Sequence, residues 1–174
     1  MNVGGSNRRG HGGFKPPRSK SGSSSVRAIS SGNGRRVING KSDSFAFTFP
    51  SDYDQGHTVQ KTILASAEQH GFAGDNFFAL RIALEEALMN AIKHGNRLDP
   101  QKKVHVEARV TAKRAEITVE DEGPGFNRHD VPDPTEGENL HKCSGRGILL
   151  IEAYMNEVKW DRGGRRLRMV KENA

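Results

Sequence analysis

Glu85-Glu86-Ala87-Leu88-Met89-Asn90-Ala91-Ile92-Lys93-His94-Gly95-Asn96 joins the end of an apolar-striped helix to a row of polar side chains. The helix is predicted from about Asp75 to His94, with Phe77, Leu80, Leu84, Leu88 and Ala91 as its core stripe and Gly95 as its stop. At about 100° per residue, Glu86 and Asn90 stand about 40° apart and His94 continues their line. Glu85 points roughly 140° away from Asn90, toward solvent. Ala79, Ala83 and Ala87 keep the neighbouring surface small, so a ligand can lie close against it. A carboxylate, an amide and an imidazole in one row suit a magnesium–phosphate site. The Asn90 oxygen can ligate a hard cation and the Glu86 carboxylate can accept a proton. An ordinary polar helix face has the same pattern, so this stretch alone does not separate the two.

The flanking sequence supplies the architecture. Upstream, Phe45, Phe47 and Phe49 alternate with Ala46 and Thr48 as in a half-buried strand, which Pro50 and Ser51-Asp52 stop. Val59, Ile63 and Ala67 then recur at helical spacing up to His70, with Gly71 as terminator. Downstream, Val104, Val106, Ala108 and Val110 form one alternating run and Ile117 and Val119 another, joined by a hairpin-length connection over 112–115. Residues 121–143 lose all periodicity, the mark of a functional or mobile loop. Ile148, Leu149, Ile151 and Tyr154 mark a helix entered through Gly145-Arg146-Gly147. Val158 and Trp160, then Leu167 and Met169, read as a last strand pair across Gly163-Gly164. The order β-α-α-β-β-loop-α-β-β, without internal repeats, predicts an α+β fold. It is a two-layer sandwich of a mixed, largely antiparallel sheet with helices on one face.

Charge is unevenly distributed along the 174 residues, whose formal net charge is +6 and hydrophobic content 33%. Residues 1–43 hold nine Lys or Arg and one acid, Asp43, which leaves 18 basic and 20 acidic residues for 44–174. The basic character thus belongs to the first segment, and 44–174 is no basic nucleic-acid module. Residues 1–43, rich in Gly, Ser and Arg, bury too little to offset their ordering entropy and read as a disordered tail. Either Arg8, Arg9, Arg35 and Arg36 touch nucleic acid weakly or the tail is passive. The single cysteine, Cys143, rules out an internal disulfide and a cysteine-rich zinc site. No run approaches the roughly 18 apolar residues of a membrane span. The N-terminus lacks the apolar core of a signal peptide. The expected location is the cytoplasm.

Two more constellations accompany the helix. Asp121-Glu122-Gly123-Pro124-Gly125-Phe126 directly follows a strand, where glycines admit a ligand to the backbone and Asp121 can accept from an exocyclic amine such as that of adenine. Ser144-Gly145-Arg146-Gly147 enters a helix, where free amides favour phosphate. Order and spacing of the three resemble the N box and the two glycine boxes of the GHKL ATPases, whose fold is the Bergerat ATP-binding fold. There is no Walker A motif. Within GHKL, Glu86-Ala87-Leu88-Met89-Asn90-Ala91 with His94-Gly95 is similar to the N box of the anti-sigma serine kinases. So is the ending, from Gly145-Arg146-Gly147-Ile148 through Met155-Asn156-Glu157-Val158 to Gly163-Gly164. The resemblance covers about 44–172, nearly all of the expected 44–174 kinase domain.

The resemblance implies ATP with Mg2+ as cofactors. It implies Asn90 as magnesium ligand, Glu86 as the general base for a serine hydroxyl and Asp121 as the reader of adenine. It places His94, Gly123, Gly125, Phe126, Ser144, Gly145, Arg146 and Gly147 around the nucleotide and makes 127–143 the lid. It further implies two partners, a sigma factor held away from RNA polymerase and an anti-anti-sigma protein bearing the acceptor serine, and often a homodimer. The alternative is a regulatory module in which nucleotide is a structural ligand only. A histidine-kinase fragment is disfavoured because 1–43 supplies no helix with an acceptor histidine. Two features depart from the family pattern: the basic tail, and Arg165-Arg166 where a Thr commonly follows the last glycine turn.

Overall fold

The computed structural model describes Met1 and residues 27–31, 34–38, 40–126 and 146–174. Seven strands form one sheet in the order β1-β2-β3-β4-β5-β7-β6. They are β1 Arg27–Ser31, β2 Gly34–Ile38, β3 Ser42–Pro50, β4 Lys103–Thr111, β5 Arg114–Asp121, β6 Glu157–Asp161 and β7 Arg166–Glu172. Every pairing is antiparallel. The helices are α1 Tyr53–Gln69, α2 Gly74–Met89 and α3 Arg146–Tyr154, and α2 runs on into a π-helical turn, Asn90–Gly95. This is the expected α+β sandwich, with its largely antiparallel sheet antiparallel throughout.

Alternation fixes the two faces of the sheet. Phe45, Phe49, Val104, Val106, Ala108, Val110, Ile117, Val119, Leu167 and Met169 are buried toward the helices. They meet Val59, Ile63 and Ala67 of α1, Leu80, Leu84 and Leu88 of α2, and Ile151 of α3 in one core. The opposite residues form a lattice of ion pairs: Arg168 reaches Glu116 at 3.3 Å and Glu157 at 3.5 Å, and Arg162 reaches Glu120 at 2.7 Å. Exposed pairs of this kind stabilise little but keep the open face wet. Asp52 caps α1 by accepting from the Gln55 amide at 2.9 Å.

The sheet reaches back past the expected boundary at residue 43, because β1 and β2 add two strands to its edge. The physical reason is local. Gly34 lies under the Phe47 ring, where a Cβ would collide. Asp43, the single acid of the basic segment, is 2% exposed. Its carboxylate accepts from Arg36 at 2.9 Å and from the Ser66 hydroxyl at 2.8 Å, with His70 Nε2 at 3.7 Å. Arg36 also lies over the Phe45 ring. Charge composition marks this stretch as a tail, whereas the pairing of one arginine with one buried carboxylate joins it to the domain.

Burial alone would raise the Asp43 carboxyl, but the Ser66 and Arg36 hydrogen bonds and the Arg36 charge outweigh it and hold the group below its ordinary value of 3.8. The Asp43 contribution is therefore complete above that ordinary value and is lost as pH falls through the lower folded value. Asp43→Asn is expected to cost about 1–3 kcal/mol near neutral pH. In urea titrations its deficit against the wild type should shrink as the solution is acidified below the ordinary carboxylate range. A deficit independent of pH would show that the charge is irrelevant.

Candidate active site

The site lies where the end of α2, the end of β5 and the start of α3 meet. Glu85 is exposed and Glu86 half-buried, as the helical wheel requires. Gly147, in the first turn of α3, sits directly on this row. A Cβ there would run into Glu86 Oε2 and would stand 3.5 Å from Asn90 Nδ2. The first and third sequence constellations are thereby brought together, with glycine the one residue that fits between them. Asn90 Nδ2 is buried without a hydrogen-bond partner. A buried amide left unpaired costs about 1–3 kcal/mol, so its retention points to a use outside folding.

Beyond Asn90 the helix widens. The Asn96 amide donates to the Ala91 carbonyl at 2.8 Å, five residues back, instead of four. Such π turns take in an extra residue and often sit at functional sites. The widened turn moves His94 off the line of Glu86 and Asn90. His94 is exposed, and no hydrogen bond or ion pair among the described residues joins it to either. It carries Gly95 instead onto the second constellation. A Cβ on Gly95 would meet the Asp121 carboxylate, and one on Gly123 would meet the Gly95 carbonyl and lie 2.7 Å from Asp121 Oδ1.

Asp121 ends β5. Its Oδ1 accepts from the Gly123 amide at 2.8 Å, and its own amide donates to the Arg165 carbonyl at 3.0 Å. Burial pushes its carboxyl above the ordinary value, against the Gly123 hydrogen bond and the Arg165 charge, which pull it down. Gly125 adopts φ +79° beside the Gly163 carbonyl. The Phe126 amide donates to that carbonyl at 2.9 Å, and its ring meets Trp160 edge-on at 5.0 Å. Arg165 therefore packs against the base-side turn through its backbone and its charge, while Arg166 faces Glu107 and Glu120 on the open sheet. Arg146 is exposed at the start of α3. Ser144, Gly145, Cys143 and the expected lid 127–143 lie outside the described residues.

Asn96 was no candidate in the sequence, although it ends the quoted stretch. It is fully buried, at 0% exposure. Its carboxamide donates to the Lys103 carbonyl at 2.9 Å and accepts from the Glu122 amide at 2.8 Å. One signal could have found it: an Asn straight after a glycine stop is a residue suited to bond strand ends that no helix satisfies.

The histidine kinase-like ATPase domain family matches residues 49–171. The chain belongs to this family. Its relatives include the serine-protein kinase RsbW of Bacillus licheniformis, 31% identical over 107 residues that make up 58% of this chain and 67% of the relative. RsbW of Bacillus subtilis strain 168 is 30% identical over the same shares of each chain. RsbW of Bacillus velezensis is 28% identical over 123 residues, 67% of this chain and 77% of the relative. Kinship with the histidine kinase-like ATPases and with RsbW makes ATP the nucleotide of this fold and protein serine kinase its enzyme class. No helix among the described residues is long and apolar enough to cross a membrane.

The residues fit the groups that such a kinase needs. The buried unpaired Asn90 amide and the space kept open by Gly147 are where a phosphate-bound cation would sit. No cluster of three or more His, Cys, Asp or Glu that could hold a metal exists among the described residues. Magnesium, which ordinarily keeps waters and phosphate oxygens in its shell, is the cation that one amide oxygen suits. Gly123 tolerates no side chain. Gly123→Ala is expected to lower stability by about 1–3 kcal/mol through backbone collision. It should also weaken ATP binding, read by thermal unfolding and titration on one sample. An alanine variant indistinguishable from wild type in both would mean that the Gly95–Gly123 contact does not shape the site.

Proposed function

We propose that the chain is an ATP-dependent protein serine kinase that acts as an anti-sigma factor, phosphorylating a serine of an anti-anti-sigma partner and sequestering a sigma factor. The observation that carries this is the meeting of Glu86, Asn90 and Gly147 on one side and Asp121, Gly95 and Gly123 on the other. In this reading Asn90 ligates magnesium on the phosphates. Gly147, with Arg146, Gly145 and Ser144, lies along the triphosphate at the α3 entrance, and ionised Asp121 accepts from the adenine amine. Bound magnesium would neutralise charge on the phosphates, which is most of what phosphoryl transfer asks of a site.

Glu86 then takes the proton of the incoming serine hydroxyl as its oxygen bonds to the γ-phosphorus, and the bond to the ADP oxygen breaks. A site that only held nucleotide would need no carboxylate there. Relatives named serine-protein kinases support the same assignment. The sigma factor and the serine-bearing protein are the partners this reading requires. Calorimetric titration of the full chain with ATP, with and without magnesium, tests it. Magnesium-dependent binding supports the assignment. Absence of binding under both conditions would replace it with a regulatory module that holds a sigma factor without nucleotide.

A further inference from the structure

The fully buried Asn96 carboxamide performs a task that the assigned roles leave unexplained. β4 and β5 pair antiparallel up to Val104 opposite Asp121, so Lys103 and Glu122 would form the next rung. They do not bond through their backbones in the ordinary way. The Asn96 carboxamide stands between them, its Nδ2 donating to the Lys103 carbonyl at 2.9 Å and its Oδ1 accepting from the Glu122 amide at 2.8 Å. The Glu122 carboxylate closes the ring by accepting from the Lys103 amide at 2.8 Å. A side chain from the helix layer thus replaces one rung of the sheet, next to the residue that follows Asp121 in the chain. Through the adjoining Gly95, the same insertion seats the helix end against the Asp121 carboxylate.

We propose that Asn96 is the positioning residue for base selectivity: by splitting the Lys103–Glu122 rung it fixes where the Asp121 carboxylate points, and so how strongly the site prefers a base with an exocyclic amine. The inference rests on the nucleotide reading above. Asn96 touches neither phosphate nor base; it acts through Asp121 and Gly95. Its loss should therefore cost discrimination between bases and spare affinity for the triphosphate, which depends on Asn90 and the α3 entrance.

The experiment is parallel titration of the full chain with ATP and with inosine triphosphate, whose base carries oxygen where adenine carries the amine. The wild type should favour ATP by about ten-fold or more, the factor of one well-made buried hydrogen bond. In Asn96→Ala that ratio should fall toward one, with inosine triphosphate bound within about three-fold of wild type, a difference well under one hydrogen bond. Should Asn96→Ala fail to unfold cooperatively, Asn96→Asp replaces it. The aspartate keeps the acceptor for Glu122, loses the donor for Lys103, and should give an intermediate ratio. A folded variant that loses affinity for both nucleotides equally, with the ratio kept, would overturn the proposal and leave Asn96 a structural residue. Wild-type chain that binds neither nucleotide would instead sink the nucleotide reading itself.

Discussion

Glu86→Gln is expected to bind ATP with magnesium as the wild type does and to phosphorylate its partner about 10²–10⁴-fold more slowly, the usual contribution of a positioned general base. The substitution is isosteric. The glutamine keeps the shape that packs against Gly147, where no Cβ can be accommodated, so the first turn of α3 stays in place. What changes is the capacity to take a proton. Single-turnover transfer of phosphate to the partner serine, measured beside calorimetric binding on the same preparation, separates the two effects. Normal transfer by the variant would remove Glu86 from the base role. Equal loss of binding and transfer would make it a residue of the binding site.

Asn90→Ala carries the second large effect. Magnesium-dependent ATP affinity should drop by at least about 100-fold, the upper end of what merely orienting residues around a metal contribute. Stability should move the other way or not at all. The Asn90 amide nitrogen is buried without a partner, and alanine removes that unsatisfied group. A variant that loses its ligand while its thermal midpoint holds or rises is the signature of a residue retained for function at a cost to folding. If nucleotide affinity were unchanged, the magnesium site would have to lie elsewhere. A large fall in stability would instead assign Asn90 to the core.

Most of the fold is legible because its signals are local. Phe45, Phe47 and Phe49 alternate as a half-buried strand, and the stripe from Leu80 to Leu88 repeats at helical spacing. The glycines at 71 and 163–164 stand at turns with positive φ. The grouping of Glu86 with Asn90 follows from one angle on a helical wheel. Three features are not legible, each for a tertiary reason. β1 and β2 have the composition of a tail, and their place in the sheet depends on Arg36 finding Asp43 and on Phe47 lying over Gly34. His94 leaves the Glu86–Asn90 line because the helix changes its hydrogen bonding after Asn90, which side-chain periodicity does not encode. The role of Asn96 depends on two strand ends, Lys103 and Glu122, that its own neighbourhood in the sequence does not mention.

The π-helical turn makes the chain between Glu86 and Asn96 a ruler of fixed length. Removing one residue from 90–95 would let the helix close its hydrogen bonds four residues back and swing everything after it by about 100°. Glu86 and Asn90 would remain where they are, but the Asn96 carboxamide would be withdrawn from between Lys103 and Glu122, and Gly95 would no longer face Asp121. An added residue would overshoot in the opposite sense. Substitutions along this segment can be graded in their effects, whereas changes in its length separate the phosphate end of the site from the base end in a single step.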